Sequence, residues 1–478
     1  MKRELKENWQ EDLQRENREV EEIQQPVQNN SDKMGIMPVG KLLFSMALPM
    51  IIAMIVQALY NVVDSIFVAR ISENALTAVG LAFPMQTLMI AVSTGLGVGM
   101  NSALSRSLGE RDPNRAGRIA LNGLFLTLLG CLAFTLVGIF GAGPFMAGQT
   151  EIAEIVEGGT QYLSICMICS AGLLFEIAFE RLLQATGRTL DTLISQGIGA
   201  VLNIILDPIM IFGLAGFPRL GIAGAAVATV AGQFVACIVA LMFNLSRNKE
   251  LHFSFRGFRP QWHIIKMILA VGVPSILMQA IGSVMCFAMN QILLAFTSTA
   301  AAVFGVYFKL QSMVFMPVFG LNNGMVPIIA YNYGARKRER VIKTIQLSMV
   351  YATVMMLLGL ALMQCFPDWL LLRFKADANM LKIGVPALRV LSVSFLFAGF
   401  CIVTSSVFQA LGNGIYSMVI SFVRQILVLL PVAYLMSLTD NLEMVWWAFP
   451  IAEVACLICC LLFLRRVNRN VLKPMEAD

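Results

Sequence analysis

The chain has 478 residues, 58% of them apolar and only 13% Asp, Glu, Lys or Arg, with a net charge of +6 and a mean hydropathy of +0.74. Soluble domains carry about 25% charged residues, so this composition excludes a soluble enzyme, a nucleic-acid module and a disulfide scaffold. It specifies an integral membrane protein.

The first 40 residues differ in kind. Lys2, Arg3, Glu4, Lys6, Glu7, Glu11 and Asp12 lie in a Gln/Asn-rich stretch with no apolar run, which predicts a solvated extension without a core and no signal peptide. Its end, from Gly35 through Gly40 and Lys41, nearly spells a phosphate-binding loop. Leu42 stands where Ser or Thr is required and no strand precedes it, so the segment reads as a lead-in to the first membrane helix.

Long apolar runs then alternate with short polar links. Spans are expected at 42–69, 78–104, 118–141, 161–183, 193–214, 221–243, 265–295, 300–332, 345–367, 386–411, 416–437 and 445–464. Each offers at least the ~20 residues a helix needs to cross a bilayer, and none shows the short alternating segments of a membrane β-barrel. Twenty-seven of the Lys and Arg fall on one side and five on the other, which predicts that both termini are cytoplasmic. The expected layout is a polar extension at 1–40, a first lobe at 41–243, a linker at 244–264, a second lobe at 265–464 and a tail at 465–478.

An internal repeat underlies the two lobes. At a shift of 225, residues 49–111 align without a gap to 274–336. Twelve positions are identical, among them Pro49/Pro274, Gly80/Gly305, Gln86/Gln311, Gly99/Gly324 and Arg111/Arg336; composition alone would give about five. Six helices per copy return the chain to its starting side, so the copies are parallel. The fold class is therefore all-α integral membrane, with twelve transmembrane helices in two pseudo-symmetric six-helix bundles, a transporter architecture.

Polar residues inside a bilayer are costly and need a reason. In the first span Gln57, Tyr60, Asn61 and Asp64 form one stripe, and in the fifth Asn203 and Asp207 are one turn apart. Thr229 lies on the small-residue sixth span. At 1.5 Å per residue, Asp64, Asp207 and Thr229 all sit roughly 9–12 Å below the outer edge. Two carboxylates, an amide and a hydroxyl at one level suit a hard monovalent cation or a proton. At +225 the stripe becomes Gly282, Met285, Cys286 and Met289, so ion coupling is expected in the first lobe. Met285 and Met289 are the second-lobe candidates for the substrate cavity, with Gln57, Tyr60 and Asn61 in the first. Lys309, Arg424 and Glu453 are candidates for a second-lobe charge network, while Glu176 and Glu180 are candidates for a gate toward Arg106 or Arg118.

Ten cysteines lie mostly in apolar runs without Cys/His metal spacing, and His252 and His263 are expected in one loop. No metal site other than one for Na+, no cofactor and no enzymatic cluster is expected.

The run from Leu48-Pro49 through Gln57, Tyr60, Asn61 and Asp64 to Val68, with Ala75–Gly80, Gln184–Gly187, Leu202–Pro208 and Gly224–Thr229, resembles the multidrug and toxic compound extrusion (MATE) family. The resemblance extends from Lys41 to about Arg466. It implies two six-helix lobes and an antiporter in the cell membrane that exports bulky, often cationic drugs in exchange for H+ or Na+. It also implies a first-lobe cation site at Asp64, Asn203, Asp207 and Thr229. The expected partners are the lipid bilayer and small-molecule drugs or toxic cations, with no nucleic acid, for a monomer. A flippase for lipid-linked precursors is the alternative reading.

Overall fold

The computed structural model describes residues 32–214, 216–251, 258–374 and 376–476; the expectations for residues 1–31 and for His252 lie outside them. A short helix α1 (Lys33–Ile36) precedes α2 (Val39–Ala69), α3 (Glu73–Gly109) and α4 (Pro113–Phe140). The first lobe continues through α5 (Ala142–Ala147), α6 (Ala153–Ile168), α7 (Ala171–Ala185), α8 (Thr189–Phe212) and α9 (Ile222–Ser246). The second comprises α10 (Trp262–Leu294), α11 (Ser298–Gly334), α12 (Arg338–Cys365), α13 (Pro367–Arg373), α14 (Ala378–Ser392) and α15 (Phe395–Ala410), then α16 (Gly414–Ser437) and α17 (Leu442–Met475). His263 sits in the first turn of α10, not in a loop.

Ten of these helices are long and apolar enough to cross a bilayer, and the pairs α6/α7 and α14/α15 make twelve if each is one bent span. The sequence predicts both as single straight spans. Instead they bend by 44° and 49° at the Cys169-Ser170 and Val393-Ser394 breaks, one residue apart in register under the repeat. No proline sits there. The Ser394 hydroxyl donates to the Leu391 carbonyl at 2.6 Å, which draws that acceptor out of the helix ladder.

The repeat is visible in local geometry. Ser72 and Thr297 cap α3 and α11 by accepting from the Ala75 and Ala300 N–H at 3.0 and 3.1 Å. Arg111 and Arg336, which end the next turns, both adopt positive φ, 57° and 56°, and Gly187 and Gly412 do so at 78° and 81°. Each of these pairs is separated by 225 residues, so the same turn chemistry recurs at the same places in both lobes.

The lobes meet along α3 and α11 on the face carrying the basic loops. Glycine is required where they cross. A Cβ on Gly109 would strike the Tyr331 carbonyl oxygen, and one on Gly334 would strike that of Arg106, the same contact under the repeat. Replacing Gly109 by Leu is expected to force the lobes apart there and cost about 1–3 kcal/mol, read as a lowered unfolding temperature of the detergent-solubilised protein. An unchanged temperature would remove this crossing from the lobe interface.

Above that contact the lobes still touch as far as Gly320 and Gly95, and exposed polar residues follow beyond. On α11, Gly320 abuts Met50 and Ile51 of α2, and Asn323 accepts a 2.9 Å bond from Arg181 of α7. Lys309 lies three turns before Gly320, on the same side of the helix, and is exposed. Gln57 and Asn61 lie two and three turns beyond Met50 on the matching side of α2 and are also exposed. They are opposite the apolar exposed row Ile52, Ile55, Leu59, Val62 and Ile66. An exposed face turned toward the other lobe, with a second exposed face turned to lipid, defines a gap between the lobes on the side away from the basic loops.

Candidate functional site

The cluster in the first lobe begins with the crossing of α8 and α9. Gly199 and Gly232 pack backbone to backbone; a Cβ on either would lie within 2.9 Å of the other's carbonyl oxygen. One turn beyond Gly199, that closeness carries Asn203 onto Thr229. In the amide orientation that satisfies both ends, the Asn203 NH2 donates to Asp207 Oδ2 at 3.2 Å and its oxygen accepts from the Thr229 N–H at 3.1 Å. Asn203, Asp207 and Thr229 are 2%, 0% and 5% exposed.

Asp64 of α2 lies beside Asp207, and its Oδ1 is buried without a hydrogen-bond partner. No Lys or Arg forms an ion pair with either carboxylate among the described residues. Two carboxylates facing one another, with one oxygen left over, fit a small hard cation or a proton. The residues expected at one depth are thus brought together by three helices.

Tyr60 projects from the same stripe toward Asp64, and Tyr162 of α6 closes the pocket beside it. Gln86 of α3 donates to the Tyr162 hydroxyl at 3.1 Å. Tyr162 carried no sequence signal, being the lone polar ring of its helix face; Gln86 carried one, its identity with Gln311 in the repeat.

Other candidates fall differently. Met285 and Met289 are 7% and 0% exposed and pack in the second lobe's apolar core. They take the places of Tyr60 and Asp64, which turn to the first lobe's interior, and not those of Gln57 and Asn61, so they do not border the gap. Glu180 is buried and accepts from Gln196 Nε2 at 2.7 Å and the Ser195 hydroxyl at 3.3 Å. Arg106 instead pairs with Glu110 at 2.9 Å, so the expected gate from Glu180 to Arg106 is not formed. Glu176 lies one turn from Glu180, within electrostatic reach of Tyr60. The residue that does cross between lobes here is Arg181, through Asn323. In the second lobe Arg424 and Glu453 pair at 3.6 Å, while Lys309 stands apart from them in the gap.

The comparisons with known proteins match this arrangement. A profile of the MatE family matches residues 49–209 and again residues 274–435, one copy in each lobe. The chain belongs to the MatE family. It is similar to the "FAD transporter" of Shewanella oneidensis, 26% identical over 456 residues, covering 94% of this chain and 99% of that protein. It is also similar to "Multidrug export protein MepA" of Staphylococcus haemolyticus, 24% identical over 417 residues, 87% of this chain and 91% of that protein. Among solved structures, an outward-facing multidrug resistance MATE family transporter superposes with a TM-score of 0.85 at 26% identity, covering 92% of this chain and 97% of that one. This MATE-family chain is therefore a multi-pass membrane transporter.

Proposed function

We propose that the protein is a secondary active multidrug antiporter that exports bulky hydrophobic compounds in exchange for H+ or Na+ by alternating access. The observation that carries this reading is the cluster of Asp64, Asn203, Asp207 and Thr229 in one lobe only, beside a gap between the lobes. A cation or proton entering from the open side neutralises the paired carboxylates and draws α2 and α8 together. That changes the α2 wall of the gap, where Gln57 and Asn61 lie, and a bound compound leaves outward. Reciprocity requires that ion and drug favour different conformations. The basic face is cytoplasmic on the charge bias, which makes the present arrangement outward-open with both chain ends inside. Cluster and gap both lie within one chain, so a monomer suffices.

The test is ethidium transport in proteoliposomes under an imposed pH gradient and then a Na+ gradient. Transport that requires one of them establishes antiport and names the ion. Transport indifferent to both refutes the coupling.

A second reading concerns charge. Lys309 places a cation in the gap, and the Shewanella oneidensis relative is named as a carrier of FAD, which bears two phosphates. We infer that anionic compounds are accepted as well. Lys309→Glu is then expected to reduce FAD transport about tenfold and leave ethidium transport intact. Equal loss of both would assign Lys309 to packing, and transport of neither compound by the unmodified protein would favour the lipid-linked precursor flippase.

A further inference from the structure

A group of side chains outside both the cation cluster and the gap has the composition of a metal site. Cys401 of α15 and Cys456 and Cys460 of α17 have sulfur atoms all within 4.8 Å of one another, and all three residues are buried, at 2%, 1% and 0% exposed. Cys456 and Cys460 are one turn apart on one face of α17. Glu453 lies a turn earlier on that face, 6% exposed, beside Cys401. Among the described residues its Oε1 has no hydrogen-bond partner, while its Oε2 pairs with Arg424 at 3.6 Å. The sequence shows no metal-ligand spacing because one ligand comes from a helix more than forty residues away.

Three sulfurs bound at ~2.3 Å around one ion would stand about 4 Å apart, so this group needs only side-chain rotation to close on one. Sulfur donors select soft or borderline ions over hard ones. The Glu453 carboxylate stands outside that group of three but beside Cys401, so a rotation of its side chain would bring in a fourth ligand, and Arg424, paired with its other oxygen, plays the orienting part that outer hydrogen bonds play in metal sites. Arg424 lies in a π-helical turn of α16, Val423–Leu429, and such turns are frequent at functional sites.

We propose that Cys401, Cys456 and Cys460, with Glu453 as the fourth ligand, bind a thiophilic divalent ion of the zinc–cadmium class. The three thiols lose their protons as three metal–sulfur bonds form, and Arg424 offsets part of the resulting negative charge. The ion would tie the second half of the broken tenth span to the twelfth. This inference is independent of the efflux reading.

The test uses the full-length protein in detergent with Cd2+ as the probe, followed by the ultraviolet sulfur-to-cadmium charge-transfer band. The variant in which the other seven cysteines are replaced by Ala is expected to bind one Cd2+ per chain, and adding Cys456→Ser is expected to abolish the band. Glu453→Gln should weaken Cd2+ binding at least tenfold. Should the multiple variant fold poorly, Cd2+ protection of Cys401, Cys456 and Cys460 from alkylation in the unmodified protein, read by mass spectrometry, gives the same answer. Absence of the band and of protection, or a band that survives Cys456→Ser, overturns the site. Unchanged affinity in Glu453→Gln overturns the fourth ligand.

Discussion

Asp207→Asn is expected to abolish gradient-driven export while leaving ethidium binding in place. Asp207 is fully buried and faces Asp64, and among the described residues no basic side chain is paired to either. A cation between them therefore depends on their charge. At 4 Å and an effective dielectric of about 20, one carboxylate contributes about 4 kcal/mol, close to a thousandfold in affinity. The amide substitution keeps the shape and the Asn203 contact geometry, so the loss falls on the ion and not on the fold. Asp64→Asn should match it, since the pair acts as one. Asn203→Ala should be milder, about 1 kcal/mol or roughly fivefold, because it removes a neutral hydrogen bond. The readouts are ethidium flux in proteoliposomes and ethidium binding by fluorescence polarisation. Full flux in both Asp variants would move the coupling site out of this cluster.

Those four residues were legible in the sequence because two simple periodicities locate them. Spacing along α2 and α8 puts the polar groups on single faces, and the rise per residue puts Asp64, Asp207 and Thr229 at one depth. What depth alone could not supply was the reason they touch, which is the Gly199/Gly232 crossing. The same logic misled in the second lobe. Met285 and Met289 take the places of Tyr60 and Asp64, the half of the stripe that faces the lobe interior, so replacing polar residues with Met fills a core. The bends in the fourth and tenth spans were invisible because no proline marks them; at the tenth the Ser394 hydroxyl takes the Leu391 carbonyl instead. The three-cysteine group and the Arg181–Asn323 bridge join residues far apart in the chain, where no spacing rule reaches.

The described end of the segment expected to be solvated, from Asp32 on, is docked instead, and it yields the second large effect. Helix α1 lies on the basic face between the lobes. Lys33 Nζ donates to the Gly187 carbonyl of the first lobe at 2.5 Å. The second lobe grips the same segment: Asn332 Nδ2 and Arg340 Nη2 donate to the Met34 carbonyl at 2.9 and 3.0 Å, Arg340 Nη2 to that of Met37 at 2.6 Å, and Lys337 Nζ to that of Gly35 at 3.1 Å. Met34 itself is 0% exposed. Burial, and then the Arg188 guanidinium, hold the Lys33 amine below its ordinary pKa, so the lysine charge opposes docking and the methionine side chain with the backbone bonds must supply the hold. Burying one such side chain is worth about 1.5–3 kcal/mol, and conformers of a transporter differ by only a few kcal/mol. Met34→Asp forfeits the burial and places a carboxylate in its stead. It is therefore expected to shift the population by at least tenfold toward a state in which the lobes part on the basic face. Distances between spin labels placed next to Gly109 and Gly334 would report this as a longer component in the variant. An unchanged distribution would mean that the lobe contact at those two glycines closes this face unaided, and that α1 only rests on it.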